Sequence, residues 1–160
     1  MDILHHKNWA LLDIEYIQSS KDHKCFRKLY ILSKDKTEDR ELEFYPCIHF
    51  KDMEDHYKKS FRFCRAHIHK LSYYPEKRAS PCSTATDKIK KFVMDNKIDL
   101  ILYKGGCIEK QLCANIGTQS LNIETFEKLE KINSHNPQTE VKNYHEQLIS
   151  LMNNSFFSTH

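Results

Sequence analysis

The sequence predicts a single α/β domain whose sheet starts with three antiparallel strands and continues with strands that alternate with helices. Two observations lead to this prediction. Apolar and aromatic residues alternate or cluster over 9–17, 25–32 and 41–50, and polar turns separate these segments. Farther along, segments with helical spacing alternate with short apolar segments. With 160 residues, we expect one domain over 1–152 and a frayed tail over 153–160.

The first half of the chain contains the three antiparallel strands. A polar segment after Ile17 separates the first two strands, and the charged segment 33–40 predicts a hairpin turn before the third. Pro46 in the third strand indicates an edge position or a bulge, because proline cannot donate to a sheet. Residues 51–66 are charged and aromatic and predict a helix.

The second half begins with a loop, which Tyr74-Pro75 and Ser80-Pro81 predict. A helix capped by Ser83 or Thr84 should extend to about Asn96. The apolar run 98–103 is typical of a buried central strand and stops at Gly105-Gly106. The remaining predicted elements are a helix over 107–115 with Gly117 as its C-cap, a short strand over 121–123, and a final helix with Asn136 as its cap and Pro137 at its first position.

Composition narrows the class of protein. The sequence has no run of 18 apolar residues and no basic segment followed by an apolar one at its start, so we expect no membrane span and an intracellular protein, cytoplasmic or nuclear. The net charge is only +3, yet 25 Lys and Arg residues with 10 His permit a basic face against phosphates.

Six cysteines are spread along the chain without a Cys-x-x-Cys pair. Without a secretory signal, this pattern favours free thiols over disulfides. A zinc site is the alternative, with Cys64, His67, His69 and Cys82 as ligands, since Cys64 and His67 have a usable ligand spacing.

The acid pair Asp13 and Glu15 lies in the first predicted strand. Side chains of a strand alternate between its faces, so both carboxylates should project on the same side. Two clustered carboxylates repel each other unless a cation neutralises them, which makes the pair a candidate metal site. The alternative is a strand whose acidic face is simply solvated.

With this acid pair and this order of elements, the chain resembles the DEDD-type 3′→5′ exonucleases of the ribonuclease H-like fold. In the histidine subclass, a His precedes an Asp by five residues at the start of the final helix, and His135 and Glu140 have that spacing with Glu in place of Asp. The tyrosine subclass would need an acid four residues after Tyr144, where the chain has Leu148.

Two further segments support the resemblance. Glu109 follows the predicted central strand, near the position of the family's middle Asp. The segment 66–71 resembles the His-Gly-Ile stretch of those enzymes, with Lys70 where glycine is usual.

The resemblance implies phosphodiester hydrolysis on single-stranded RNA or DNA, with release of nucleoside monophosphates from a 3′ end. Asp13, Glu15, Glu109 and Glu140 would hold two Mg²⁺ or Mn²⁺ ions, and His135 would be the general base. We expect further substrate contacts from residues that bind phosphate or stack on a base, namely His69, Lys70, Tyr73 or Tyr74, Arg78 and Lys104.

Two other functions stay open at this point. The Maelstrom domain resembles these exonucleases in fold, but it has lost their metal-binding acids and carries a zinc site instead. The alternative to an exonuclease is therefore a non-catalytic RNA-binding module of this kind. A structural protein with a vestigial site is the third possibility. The sequence predicts neither the oligomeric state nor a preference between RNA and DNA.

Overall fold

The structure is a computed structural model that describes residues 2–132 and 134–158. Within these ranges, six strands form one mixed sheet in the order β4-β3-β2-β1-β5-β6. The strands are β1 Trp9–Ser20, β2 His23–Ser33, β3 Asp39–Tyr45, β4 Ser80–Pro81, β5 Leu100–Tyr103 and β6 Ser120–Asn122.

Five α-helices accompany the sheet in the described part of the chain: α1 Asp2–His6, α2 Asp55–Cys64, α3 Ala85–Asp95, α4 Cys107–Ile116 and α5 Pro137–Ser158. Single turns of 3₁₀-helix occupy Phe50–Asp52, Cys82–Thr84 and Ile123–Thr125, and a π-helical turn occupies Arg65–His69. None of these helices is long and apolar enough to cross a membrane.

The predicted α/β class and the mixed sheet are confirmed. Strands β1, β2 and β3 form an antiparallel meander, whereas β5 and β6 run parallel to β1. The predicted loop at Ser80-Pro81 is wrong in one respect, because this dipeptide forms β4 and pairs with the end of β3. A proline is tolerated there because β4 is the edge strand and needs no second ladder of donors.

Alternation along β1 divides the core into two layers. Ala10, Leu12 and Ile14 belong to a buried cluster with residues of α3 and α4. Trp9 and Leu11 belong to a second cluster with residues of α1 and α5. Helices therefore cover both faces of the sheet, and the odd-numbered side chains of β1 lie on the α5 side.

The final helix begins as the sequence predicts. Thr139 N–H donates to Oδ1 of Asn136 at 3.2 Å, so Asn136 caps α5 and Pro137 is its first residue. The predicted C-cap of α4 is also confirmed, because Gly117 has a φ of +73°. Helix α5 extends to Ser158, so the expected tail is helical over residues 153–158, and residues 159–160 lie outside the described part.

The prediction of free thiols is wrong for two cysteines. Cys47 and Cys82 form a disulfide, whereas Cys25, Cys64, Cys107 and Cys113 are free. The pairing follows from the unpredicted β4 strand, since Tyr45 and Pro81 are register partners, and Cys47 and Cys82 follow them by two residues and one residue. A sequence separation of 35 residues gave no indication of this proximity.

Candidate metal centre

Asp13 and Glu15 lie where strand β1 extends beyond its neighbour β5. The two strands pair only from Trp9 to Leu12, whose partner is Tyr103, the last residue of β5. The two carboxylates therefore project just past the carboxyl end of a parallel strand, where the loop 104–106 leads into α4. Ligand sites of open α/β sheets are found at such ends.

Three carboxylates from two elements converge at this point. Ligand oxygens of Asp13, Glu15 and Glu140 all lie within 4.8 Å of one another. Glu140 is in the first turn of α5, which packs on the β1 face through Val141, Tyr144 and Leu148. The start of this helix thus determines the position of the third carboxylate.

A β-bulge follows Glu15 directly. Glu15 pairs with Lys28, but the next residue, Tyr16, pairs with Phe26, so β2 contributes one extra residue. Such bulges increase the local twist and redirect neighbouring side chains, and they are frequent beside active sites. The strand predicted to end at Ile17 continues to Ser20 past this irregularity.

Glu109 reaches the same region from the first turn of α4. Its side chain is only 4 % exposed, and the backbone N–H groups of Glu109 itself and Ile14 favour its charged form. Its Oε2 atom is buried and has no hydrogen-bond partner among the described residues, as is also true of Oδ2 of Asp13. Buried oxygens without a donor are costly, and a bound cation would satisfy them.

The carboxyl groups hold their protons unusually tightly. Burial raises the pKa of Asp13, and a hydrogen bond to Glu140 and the charges of Glu140, Glu109 and Glu15 raise it further. Burial and the charges of Glu140 and Glu109 raise the pKa of Glu15 to about 8. Burial also raises the pKa of Glu109 to about 7, despite the backbone amides. Both causes, desolvation and like charge, are relieved by a divalent cation.

Lys104 contacts this cluster through Glu140. Its Nζ lies 3.7 Å from Oε1 of Glu140 and 5.2 Å from the ring centroid of Tyr144. Burial lowers the pKa of Lys104, but hydrogen bonding to Tyr144 and the charges of Glu140 and Glu124 outweigh burial and raise the pKa. The Lys104 ammonium therefore pairs with Glu140, while the raised pKa values of Asp13, Glu15 and Glu109 keep part of the cluster protonated at neutral pH.

His135 is exposed and lies two residues before Pro137, the first residue of α5. Its charge is one reason for the lowered pKa of His69, after burial and the charge of Arg27. The two imidazoles are therefore close enough to interact electrostatically. Nδ1 of His69 accepts the N–H of Leu71 at 2.9 Å, so neutral His69 carries its proton on Nε2.

The predicted base-stacking role does not fit Tyr73 as the structure places it. Tyr73 is only 5 % exposed, packs edge-on against Phe50 and Phe61, and donates its hydroxyl to the carbonyl of Ile48. A buried ring of this kind presents no face to a nucleotide. Tyr74 is 46 % exposed and is the accessible ring of the pair.

Open clefts flank the acid cluster on two sides. Glu15 and His69 line a cleft of about 350 Å³ together with Phe61 and Ile68. Lys104 and Tyr144 line another of about 230 Å³ that also includes Lys131. A third groove, of about 460 Å³, contains Lys70 and Arg78 with four other basic residues and three glutamates.

A second group of potential metal ligands lies elsewhere. One ligand atom each of His23, Cys25 and Cys47 falls within 4.8 Å of the other two. The zinc set predicted from the sequence, Cys64, His67, His69 and Cys82, does not form among the described residues. The reason is that Cys82 is bonded to Cys47 after β3, whereas the other three belong to the end of α2 and the turn after it.

Sequence patterns missed Tyr144 beside Lys104 and the whole group around Cys25. The sequence places Tyr144 only in an acid motif that the chain lacks. Its contact with Lys104 arises because Tyr144 of α5 packs in the same cluster as Leu100 and Leu102 of β5, the strand that precedes Lys104. Cys25 and Cys47 are 22 residues apart and carry no local spacing signal. No protein-family model and no curated protein matches the chain.

Proposed function

We propose that the chain is a metal-dependent 3′→5′ exonuclease of the ribonuclease H-like fold that hydrolyses single-stranded nucleic acid. The observation that carries the proposal is the convergence of the carboxylates of Asp13, Glu15 and Glu140, with Glu109 electrostatically coupled to them. The antiparallel β1–β2–β3 meander followed by parallel strands supports the fold assignment.

The donor set suits hard divalent cations. All four candidate ligands are carboxylates, which Mg²⁺ and Mn²⁺ prefer, and buried oxygens of Asp13 and Glu109 have no donor among the described residues. Bound there, two such ions would polarise the scissile phosphodiester and acidify the attacking water. The carboxylates would hold the ions after releasing the protons that their raised pKa values retain, so metal affinity should increase as the pH rises.

The remaining side chains have roles that match their positions. His135 lies just before α5 and is exposed to solvent, so it could act as the general base that accepts a proton from the attacking water. Lys104 would bind a phosphate oxygen beside Glu140. The clefts lined by His69 and by Lys131 would receive the strand on either side of the cut. The 3′→5′ polarity comes from the family resemblance alone.

The decisive assay uses single-stranded RNA and DNA, each labelled at the 5′ or the 3′ end, with Mn²⁺, Mg²⁺ or EDTA. We expect a descending ladder from the 5′ label, immediate mononucleotide release from the 3′ label, and no cleavage in EDTA. Asp13→Asn and Glu109→Gln should abolish cleavage, whereas Glu127→Gln, which changes an exposed acid outside the cluster, should not. A 5′ label released first, or cleavage that survives both substitutions, contradicts the proposal.

Metal binding is testable without activity. A divalent ion that binds only the folded state raises stability by about 2.7 kcal/mol at a hundredfold excess over its Kd. Millimolar Mn²⁺ should therefore raise the melting temperature of the wild-type protein, and Asp13→Asn should reduce that rise. An unchanged melting curve would show that the acids are not a metal site.

One observation favours the non-catalytic alternative, a nucleic-acid-binding module similar to the Maelstrom domain. The Lys104 ammonium already neutralises part of Glu140, as it would in a site that no longer takes metal. Persistent binding of single strands without cleavage in any metal would establish this alternative.

A further inference from the structure

We propose that the reduced protein binds one zinc ion through His23, Cys25, Cys47 and Cys82. This Cys₃His site shares no residue with the carboxylate cluster, so it is independent of the exonuclease proposal. It also differs from the zinc set predicted from sequence in every ligand except Cys82.

The first support is the clustering of ligand atoms. One ligand atom each of His23, Cys25 and Cys47 lies within 4.8 Å of the others. Tetrahedral zinc with Zn–S bonds of about 2.3 Å separates its ligand atoms by about 3.8 Å, so these three atoms already lie near ligand spacing. Cys82 is the fourth candidate because its sulfur is bonded to that of Cys47, and its side chain would turn toward the other three after the disulfide is reduced.

The second support is the sheet itself, which brings the four residues to one edge. Cys47 comes two residues after β3 and Cys82 directly after β4, and these strands end together at the pair Tyr45 and Pro81. Lys28 pairs with Glu43 in the antiparallel β2–β3 ladder, and continuing this register places Cys25 opposite residue 46. His23 and Cys25 are two positions apart on β2, so their side chains share a face.

The third support is the environment of the central sulfur. Cys25 is 1 % exposed, and the backbone N–H of Cys47 donates to its Sγ at 3.4 Å. Such amide donors stabilise a metal-bound thiolate, and zinc sites depend on these outer contacts. His23 and Cys47 are exposed, so an ion has a path into the site.

The chemistry requires one reduction followed by metal binding. A dithiol reductant gives two electrons and two protons to the Cys47–Cys82 bond, which becomes two thiols while the reductant becomes a cyclic disulfide. Zinc then displaces one proton from each of three thiols and accepts the imidazole lone pair of His23. The product is a zinc centre with a net charge of −1. A cyclic disulfide, the oxidised form of the dithiol, would accept two electrons from the Cys47 and Cys82 thiolates and two protons from solvent, so that the Cys47–Cys82 disulfide is restored, Cys25 regains a proton and the ion is released. Zinc would thus link β2 to β3 and β4, whereas the disulfide joins only the ends of β3 and β4.

The test starts with full-length wild-type protein. Protein reduced and kept anaerobic should bind one more zinc per chain by elemental analysis than protein left with its disulfide, since the carboxylate cluster is the same in both. Zinc should protect three of the six cysteines from a thiol reagent. With Co²⁺ as the probe, sulfur-to-metal charge-transfer absorption should appear, which carboxylate ligands cannot give. A reduced wild type that takes no zinc, or that shows no sulfur-to-cobalt band, overturns the proposal.

Matched variants locate the ligands. Cys25→Ser and His23→Ala should weaken zinc binding at least tenfold, whereas Cys64→Ser should retain it. Cys64 belongs to the zinc set predicted from sequence, so zinc lost from Cys64→Ser but kept in His23→Ala assigns the ion to that other set and contradicts the proposal. Since Cys25 is buried and its replacement risks misfolding, the exposed His23 is the decisive position.

Discussion

Lys104 holds its ammonium 3.7 Å from the Glu140 carboxylate and over the ring of Tyr144, so one side chain joins the acid cluster to the adjacent cleft. Two effects of this position can be separated. The ammonium attracts a phosphate, and it also repels a cation bound at the carboxylates. Substitution should therefore move nucleic-acid affinity and metal affinity in opposite directions.

The first prediction concerns Lys104→Met, which removes the charge and keeps most of the unbranched side chain. Binding of single strands should weaken, and the slope of log K against log salt should fall by about 0.7, the value for one phosphate contact. Mn²⁺ affinity should rise, because the ammonium beside Glu140 no longer repels the ion. Fluorescence anisotropy over a salt series and calorimetric Mn²⁺ titration measure the two effects. Lys131→Met, in the same cleft but not paired with Glu140, serves as the control, and a matching rise in its Mn²⁺ affinity would refute the electrostatic explanation.

The second prediction is a loss of stability with rising pH in the metal-free protein. A carboxyl group with a raised pKa binds its proton more tightly in the folded chain. The group therefore contributes fully to the free energy of unfolding at pH values below its pKa in the unfolded chain. That contribution is lost as the pH rises through its pKa in the folded chain. For Glu15 and Glu109, this interval extends from the ordinary 4.5 to about 8 and about 7. Burial lowers the pKa of His69 and His145. The contribution of these two residues to the free energy of unfolding therefore increases as the pH rises.

Glu109→Gln isolates the carboxyl contribution because both histidines remain. In EDTA, the free energy of unfolding of the variant should fall less than that of wild type between about pH 5 and about pH 8. Urea titrations at several pH values measure the difference. Parallel pH profiles for the two proteins would mean that Glu109 ionises normally. Saturating Mn²⁺ should flatten the wild-type profile, since the ion replaces the protons.

The third prediction concerns Arg27, which holds the segment that carries His69. Its guanidinium bonds Glu43 at 2.9 Å and the carbonyl of Ser72 at 2.9 Å, with 3 % of the Arg27 side chain exposed. Arg27→Met leaves Glu43 without its partner and should cost about 3–5 kcal/mol. Lys91→Met breaks the exposed pair with Asp95 and should cost under about 1 kcal/mol. Equal losses in urea titrations would contradict the buried-pair argument.

The sequence predicted the elements of this fold well because most of them have local signals. Asn136 before Pro137 and Gly117 after α4 act within one helical turn, and the structure has both caps. The alternation of β1 likewise put Asp13 and Glu15 on one face, where the structure has them beside Glu140.

The features that sequence reasoning missed depend on pairing between distant segments. The bulge after Glu15 exists only in the register of β1 with β2, and the Cys47–Cys82 pair only in that of β3 with β4. Burial of Tyr73 likewise results from contacts with Phe50 and Phe61, which come from two other elements. The residue type predicts that Tyr73 stacks on a base, but tertiary packing buries its ring.

The fourth prediction separates catalysis from binding at His135. If this exposed imidazole accepts the proton of the attacking water, His135→Ala should lower kcat by about 10²–10⁴-fold. Single-strand affinity and the Mn²⁺-dependent melting shift should stay unchanged, because the proposal gives His135 no role in binding the metal or a phosphate. His69→Ala is the comparison, since His69 lines the cleft and should mainly raise KM. Unchanged kcat in His135→Ala would remove it from the mechanism.

The fifth prediction tests whether the site is adapted to glutamate at Glu140. The resemblance puts aspartate at this position, so Glu140→Asp would restore the family's usual residue. The present carboxylate already lies within 4.8 Å of both Asp13 and Glu15 and contacts Lys104, which indicates that the start of α5 is placed for the longer side chain. Shortening by one methylene withdraws the oxygens by about 1.5 Å, more than the roughly 0.5 Å that a preorganised site tolerates.

We therefore expect Glu140→Asp to lower kcat and Mn²⁺ affinity at least tenfold while the fold stays intact by circular dichroism. Glu140→Gln is the matched control, because it keeps the length and removes the charge. If the Asp variant equals or exceeds wild type while the Gln variant is inactive, then charge alone matters and the backbone has not adapted. If both variants fail, length and charge are each required, as the convergence of the three carboxylates around Asp13 implies.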